Sequence, residues 1–198
     1  MELEDVKQKI RRKNQILFSR ESASLQELLQ LIRQQKHRTL VMWALACAEE
    51  PARILNKRHP DHKEPEQAIL LCKEWAKGKI KMPEAKRALL KVHALAKKLA
   101  DPADIALCHA VGQACATVHV ETHAIGLPIY ELTAIVRSLG WENCETAVKG
   151  KIAYYMERLQ VYEKLVSSVA FEWADFLMDD SRPNQEQLLA DKKQRTQP

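Results

Sequence analysis

The chain has 198 residues, 46% of them hydrophobic and 29% charged, with 31 Lys and Arg against 26 Asp and Glu for a formal net charge of +5. That length and balance suit one globular domain with its own core and exclude a disordered chain. No apolar run approaches the roughly 20 residues needed to cross a bilayer, so no membrane partner is expected.

The first segment, about 3–18, places Val6, Ile10 and Leu17 at helical spacing among many charges. Ser22 or Ser24 can then cap a second helix with Leu25, Leu28, Leu29 and Ile32 on one face, which makes residues 1–37 a helical hairpin. Thr39 can cap a third helix through Trp43, Ala44 and Cys47, and Pro51 should kink or break it. Pro65 suits the first turn of a fourth helix that Gly78 can end, and Pro83 starts a fifth. Asp101 followed by Pro102 is the clearest start signal in the chain, and the sixth helix it opens runs to about Ala124. A short seventh helix begins after Gly126 and Pro128 and stops at Gly140.

From about 142 to 178 there is no proline. Val148, Ile152, Tyr155, Leu159, Tyr162, Val166, Val169, Trp173 and Phe176 recur there at alternating spacings of four and three. This is a heptad seam on one long helix, which either packs on its own chain or forms a homodimer. The expectation is therefore all-α: a single-domain bundle of about seven to nine helices. Its sections are the hairpin 1–37, a helical core 38–140, the long helix 141–179 packed on the same domain, and a polar, flexible tail 180–198.

Lys7, Lys9, Arg11, Arg12 and Lys13 form the densest basic cluster. With no aromatic residue interleaved they are expected to be a solvated face, and nucleic acid is not expected as a partner. Cys47, Cys72, Cys108, Cys115 and Cys144 are an odd number scattered through apolar patterns, and the first residues lack a signal-peptide pattern. A cytoplasmic protein with free thiols, needing no metal or disulfide for stability, is the expectation.

Between Cys108 and His123 a helical wheel puts Cys108, Gly112, Cys115, His119 and His123 in one sector. His119 and His123, one turn apart, could share a zinc ion if His93 or Cys72 came from a neighbouring helix. Core packing on a small-residue helix explains the same stripe, because Ala106, Ala110, Gly112, Ala114 and Ala116 let neighbours approach closely. Catalysis is not expected. The stripe has no orienting acid or oxyanion site, and the chain has no Gly-rich phosphate loop.

Several spaced motifs carry a resemblance. They are Trp43-Ala-Leu-Ala-Cys47-Ala-Glu49, His59-Pro60-Asp61, Pro65 with Ala68-Ile69, Trp75-Ala-x-Gly78, Ala85-x-x-Ala88, His93-Ala94-x-Ala96, and Ala110-x-Gly112-x-Ala114-x-Ala116-Thr117-x-His119-Val120-x-Thr122-His123-Ala124. Over about residues 38–140 the chain resembles the immunity proteins of bacterial polymorphic-toxin systems. It departs from them after Asp61, where His62-Lys63-Glu64-Pro65-Glu66 stands in place of an Arg-Pro-Arg run. The resemblance implies a non-catalytic, all-helical protein that protects its producer by occluding a cognate protein toxin. Arg58, Trp75 and Trp141 are the candidate partner-binding anchors. The alternative is a metal- or small-ligand-binding helical protein using His93, His119 and His123.

Overall fold

The structure, a computed structural model, describes residues 3–168 and 171–195. Among these the protein is all-α, with no strand.

α1 (Glu4–Arg11) is shorter than its apolar spacing predicts, because Lys13 turns into the left-handed region at φ 57°. Leu17 and Phe18 therefore lie on an irregular segment, where both are buried, and the Leu17 amide donates to Thr133 Oγ1 at 3.1 Å. Ser22 does not cap the second helix. It accepts from the Ser19 amide and donates to Asp5, and a 3-10 turn (Ala23–Leu25) leads into α2 (Gln26–Gln34).

α3 (His37–Cys47) starts two residues before Thr39, which is buried instead of capping. α4 (Glu49–Arg58) begins upstream of Pro51, so the proline sits in a first turn that has no amide bond to lose. α5 (Glu64–Ala76) and α6 (Met82–Ala96) open with prolines as expected, and Gly78 follows α5 at φ 75°. In α7 (Pro102–Ala116) the Asp101 side chain accepts the Ala103 amide at 2.7 Å. α8 (Gly126–Leu139) ends at Gly140, again at φ 75°.

α7 is the axis of the fold. It packs against α3, α4, α5, α6 and α8, and its buried residues lie on every side of the helix. A helix that is apolar all round must sit inside the core, and the small side chains of Ala103, Ala106, Ala110, Gly112 and Ala114 leave room for so many neighbours.

The expected continuous helix from 142 to 178 is instead α9 (Glu145–Ser168), a non-helical stretch at 171–174 and α10 (Asp175–Met178). Val148, Ile152, Tyr155 and Leu159 are buried where α9 meets α2, α3 and α8. Trp173 and Phe176 lie beyond the end of that helix, and Val169 falls outside the described residues. The polar stretch expected as a flexible tail forms α11 (Gln185–Arg195), whose Glu186 is buried against Arg20.

Inside the core Trp43 donates its indole N–H to the Tyr155 carbonyl at 3.0 Å and meets the Tyr155 ring edge-on at 5.5 Å. The Tyr155 hydroxyl donates to the buried Glu131 carboxylate, and Lys151 bridges Glu131 (2.7 Å) to Glu50 (2.6 Å). Burial raises the pKa of Glu131, although Lys151 and Tyr155 work against that shift. Burial also opposes the charge on Lys151, but the two carboxylates outweigh it and raise its pKa. The network thus holds its cation between one buried and one half-exposed acid.

Candidate functional site

The helix expected to run to Ala124 stops at Ala116. Thr117 turns its hydroxyl back to the Gln113 carbonyl, and three of the four residues Thr117-Val118-His119-Val120 are β-branched, with poor helix propensity. His119 therefore lies in a turn and His123 on a separate 3-10 turn (Glu121–His123), so the two are not stacked on one helix face.

Each candidate histidine has its own neighbour. His93 faces His109 at 5.8 Å between ring centroids, and His109 faces Tyr130 at 5.1 Å. His119 stacks on Trp75 at 6.4 Å, while His123 Nδ1 lies 2.9 Å from Gln113 Oε1. Among the described residues no group of three or more His, Cys, Asp or Glu is placed to hold one metal ion. Burial lowers the pKa of His93, His109 and His123, assisted by Lys97 at His93, by the neighbouring His93 ring at His109, and by Arg20 and His119 at His123.

Gly126 and the motif residue Gly112 have structural roles. A Cβ on Gly126 would meet Gln113 Oε1, Cγ and Cβ at 2.4, 2.6 and 2.8 Å, and one on Gly112 would meet His93 Cε1 at 3.0 Å. All five cysteines are free and buried. Burial pushes the Cys47 and Cys108 thiols up to about 12, which removes the thiolate a nucleophile needs.

Arg58 ends α4 with its guanidinium 2.5 Å from the Asp104 carboxylate, which also meets His59 at 2.7 Å. Asp104 is buried, so the first purpose of Arg58 is to neutralise an interior charge, with 42% of its side chain still facing solvent. Trp141 is half-buried beside Leu3 and Cys144 at the mouth of a small cleft. Trp75 is half-buried between His119 and Phe176, whose ring lies 5.5 Å away.

A surface that the sequence reading missed lies on α6. Lys86, Arg87, Leu90, Lys91 and Ala94 are exposed, as are Lys97 and Lys98 just past the helix end. At 100° per residue they span a sector of about 140°. Leu90 and Ala94 run up its middle, with Lys86 and Lys97 on one flank and Arg87, Lys91 and Lys98 on the other. Among the described residues none of these five cations forms an ion pair, and the only acid of α6, Glu84, bonds back to the Lys81 amide. Their five charges equal the formal net charge of the whole chain. The signal was present as apolar residues at spacing four inside a basic run, but periodicity alone does not say which face of a helix is left outside.

A second surface surrounds Trp75. There the segment 171–186 crosses the end of α2 and the start of α3. Beneath it lies a cavity of about 340 Å³, lined by Arg33, His37, His119 and Glu121 from the body and by Phe176 and Asp180 from the crossing segment. No helix among the described residues is long and apolar enough to cross a membrane.

Neither a curated protein nor a solved structure matches the chain. A family match spans residues 30–158, wider at both ends than the resemblance visible in the motifs and well over half of the 198 residues. It takes in α3 to α8 whole, and with them the Trp75 surface, the basic face of α6 and the histidine-bearing turns around α7. The chain belongs to the family described as Imm-5 like putative immunity protein.

Proposed function

We propose that the protein protects its bacterial producer by binding a cognate polymorphic toxin in the cytoplasm and occluding it, without catalysing a reaction. The family membership carries this reading. The interior accords with it, since His123 and Gly126 both close on Gln113 between α7 and α8 and the thiols are buried. The metal-binding alternative lacks a converging set of ligands among the described residues.

The exposed face of α6 is the docking surface we assign to the toxin. An apolar strip centred on Leu90 between two unpaired basic flanks fits an acidic protein surface with an apolar centre. Nucleic acid fits it less well, because the strip offers a leucine and an alanine where bases would need stacking partners. Arg58, Trp75 and Trp141 remain secondary anchors in this proposal.

Co-expression with the toxin encoded beside it should restore growth and give a stable complex. Lys86→Glu with Arg87→Glu and Lys91→Glu should slow association about ten-fold or more at low salt while leaving the melting temperature within a few degrees. No complex and no protection would end the immunity reading. Protection that survives the triple charge reversal would move the interface off α6.

A further inference from the structure

The segment that crosses the Trp75 surface lies beyond the family-matched residues, and it sits there as a ligand would. Leu177 is the buried plug at 2% exposure, and the Ala174 amide donates to the Ala76 carbonyl at 2.8 Å. Phe176 lies against Trp75. Asp180 bridges Lys36 (2.9 Å) and Arg38 (2.6 Å), and the Asn184 side chain donates to the Ile32 and Gln35 carbonyls at the end of α2.

Yet the fit is partial. Phe176 stays 42% exposed and Met178 51%, the cavity remains open beneath them, and Arg33, which lines it, has no ion pair among the described residues. Its Nε is shielded from solvent and has no hydrogen-bond partner. A guanidinium in that state is worth more to an incoming carboxylate than one in open water.

We infer that this groove is a docking seat for an acidic partner segment carrying an aromatic or leucine anchor, and that residues 171–186 are a built-in stand-in that a better-fitting segment displaces. The chemistry of the stand-in defines that of the ligand: an aromatic ring against Trp75, then an acid where Asp180 meets Lys36 and Arg38, with Arg33 left to take a second acid because Asp179 is bonded within the segment to Ser181 and Arg182. The inference rests on reading the chain as a binding protein, but it concerns a different face from α6. A seat blocked most of the time binds with an apparent affinity reduced by the fraction of time it is open.

The probe is a fluorescent synthetic peptide copying Trp173 to Arg182, titrated against full-length protein by polarisation. Weakening the stand-in with Phe176→Ala and Asp180→Asn should tighten peptide binding about ten-fold or more relative to the unaltered chain. A peptide with lysines at the positions of Asp179 and Asp180 should lose binding to the weakened chain by a similar factor. Arg33→Glu added to that chain should reduce binding of the acidic peptide and improve binding of the lysine peptide, a reversal that damage to the fold would not produce. Asn184→Ala, which removes the two bonds to α2, is an independent way of loosening the stand-in should the double variant melt early. Equal peptide affinity in folded loosened and unaltered chains would overturn the inference. A dimer made by exchanging the segment between copies, with no peptide bound, would overturn it too. The measurement needs no toxin, so its failure leaves the immunity reading standing, and a failure of protection leaves this result standing.

Discussion

The α7–α8 hairpin and the crossing segment 171–186, together with the α11 helix it leads into, are held by opposite kinds of contact. The hairpin is closed by small residues whose backbones approach until one added methyl group collides, and both helices are buried over most of their length. The crossing segment buries Ala174, Leu177 and Glu186, lays Phe176 against Trp75, and otherwise touches the body mainly through charges and side-chain amides at the surface. A region of the first kind opens only when the molecule unfolds. One of the second kind can open alone, at a cost below that of global unfolding.

The largest test of this contrast is Trp43→Ala. Trp43 is fully buried, and it both fills space and donates to the Tyr155 carbonyl, so its loss should cost about 3–5 kcal/mol. Denaturant unfolding followed by circular dichroism measures it. A cost below about 1 kcal/mol would mean that the core is looser than its burial suggests.

Gly126→Ala comes next. The new methyl group would overlap the Cβ and Cγ of Gln113, not only the movable amide, and Gln113 is tied to His123. The expected cost is about 1–3 kcal/mol. Gly112→Ala meets only the edge of the His93 ring at 3.0 Å, and the usual gain from Gly to Ala inside a helix, about 0.5–1 kcal/mol, offsets most of that. The two variants should therefore differ clearly in melting temperature. Equal effects would remove the close-approach explanation for Gly126.

The histidines supply a pH test of the same interior. His93, His109 and His123 have pKa values held below the ordinary 6.5, chiefly by burial, so the unfolded chain takes up protons more readily than the folded one. Their contribution to stability is present above 6.5 and is lost as the pH falls below it. Glu131 acts with the opposite sign, since its pKa is raised above the ordinary 4.5 and stability is lost as pH rises through the folded value. Melting temperature should thus fall on acidification below 6.5, and His93→Gln with His109→Gln should flatten that slope. Glu131→Gln should leave the histidine-driven fall in place. A double histidine variant with an unchanged slope would place the pH sensitivity elsewhere.

What could be read in advance follows from how local each signal is. Asp101-Pro102, Pro65, Pro83, Gly78 and Gly140 act within a few residues of themselves, and each stands where its chemistry places it. Fold class followed from such signals plus composition. The misplacements occurred where a long-range contact or a β-branched run competes with an apolar period. Leu17 is drawn from a helical pattern to Thr133, Thr117 closes α7 early, and α9 ends before Trp173 although the heptad spacing continues. The histidine stripe does not form one helix face for the same reason, because its spacing assumes a helix that has already stopped at Ala116. The basic face of α6 was hidden in a different way. Its residues are ordinary, and only packing reveals that no acid opposes them.

The smallest expected effect separates the two regions most directly. Arg20 holds Glu186 of α11 through two hydrogen bonds, at 2.9 and 3.1 Å, and also donates to the Thr122 carbonyl beside α7. Arg20→Gln would leave a buried carboxylate without its cation, and α11 can relieve that by lifting Glu186 into water. The global melting temperature should therefore move by no more than a few degrees. Amide exchange should accelerate through Gln185–Arg195 and stay slow in Pro102–Ala116. If α7 accelerated in step with α11, the two regions would open as one unit, and a separately displaceable segment at the Trp75 groove would lose its physical basis.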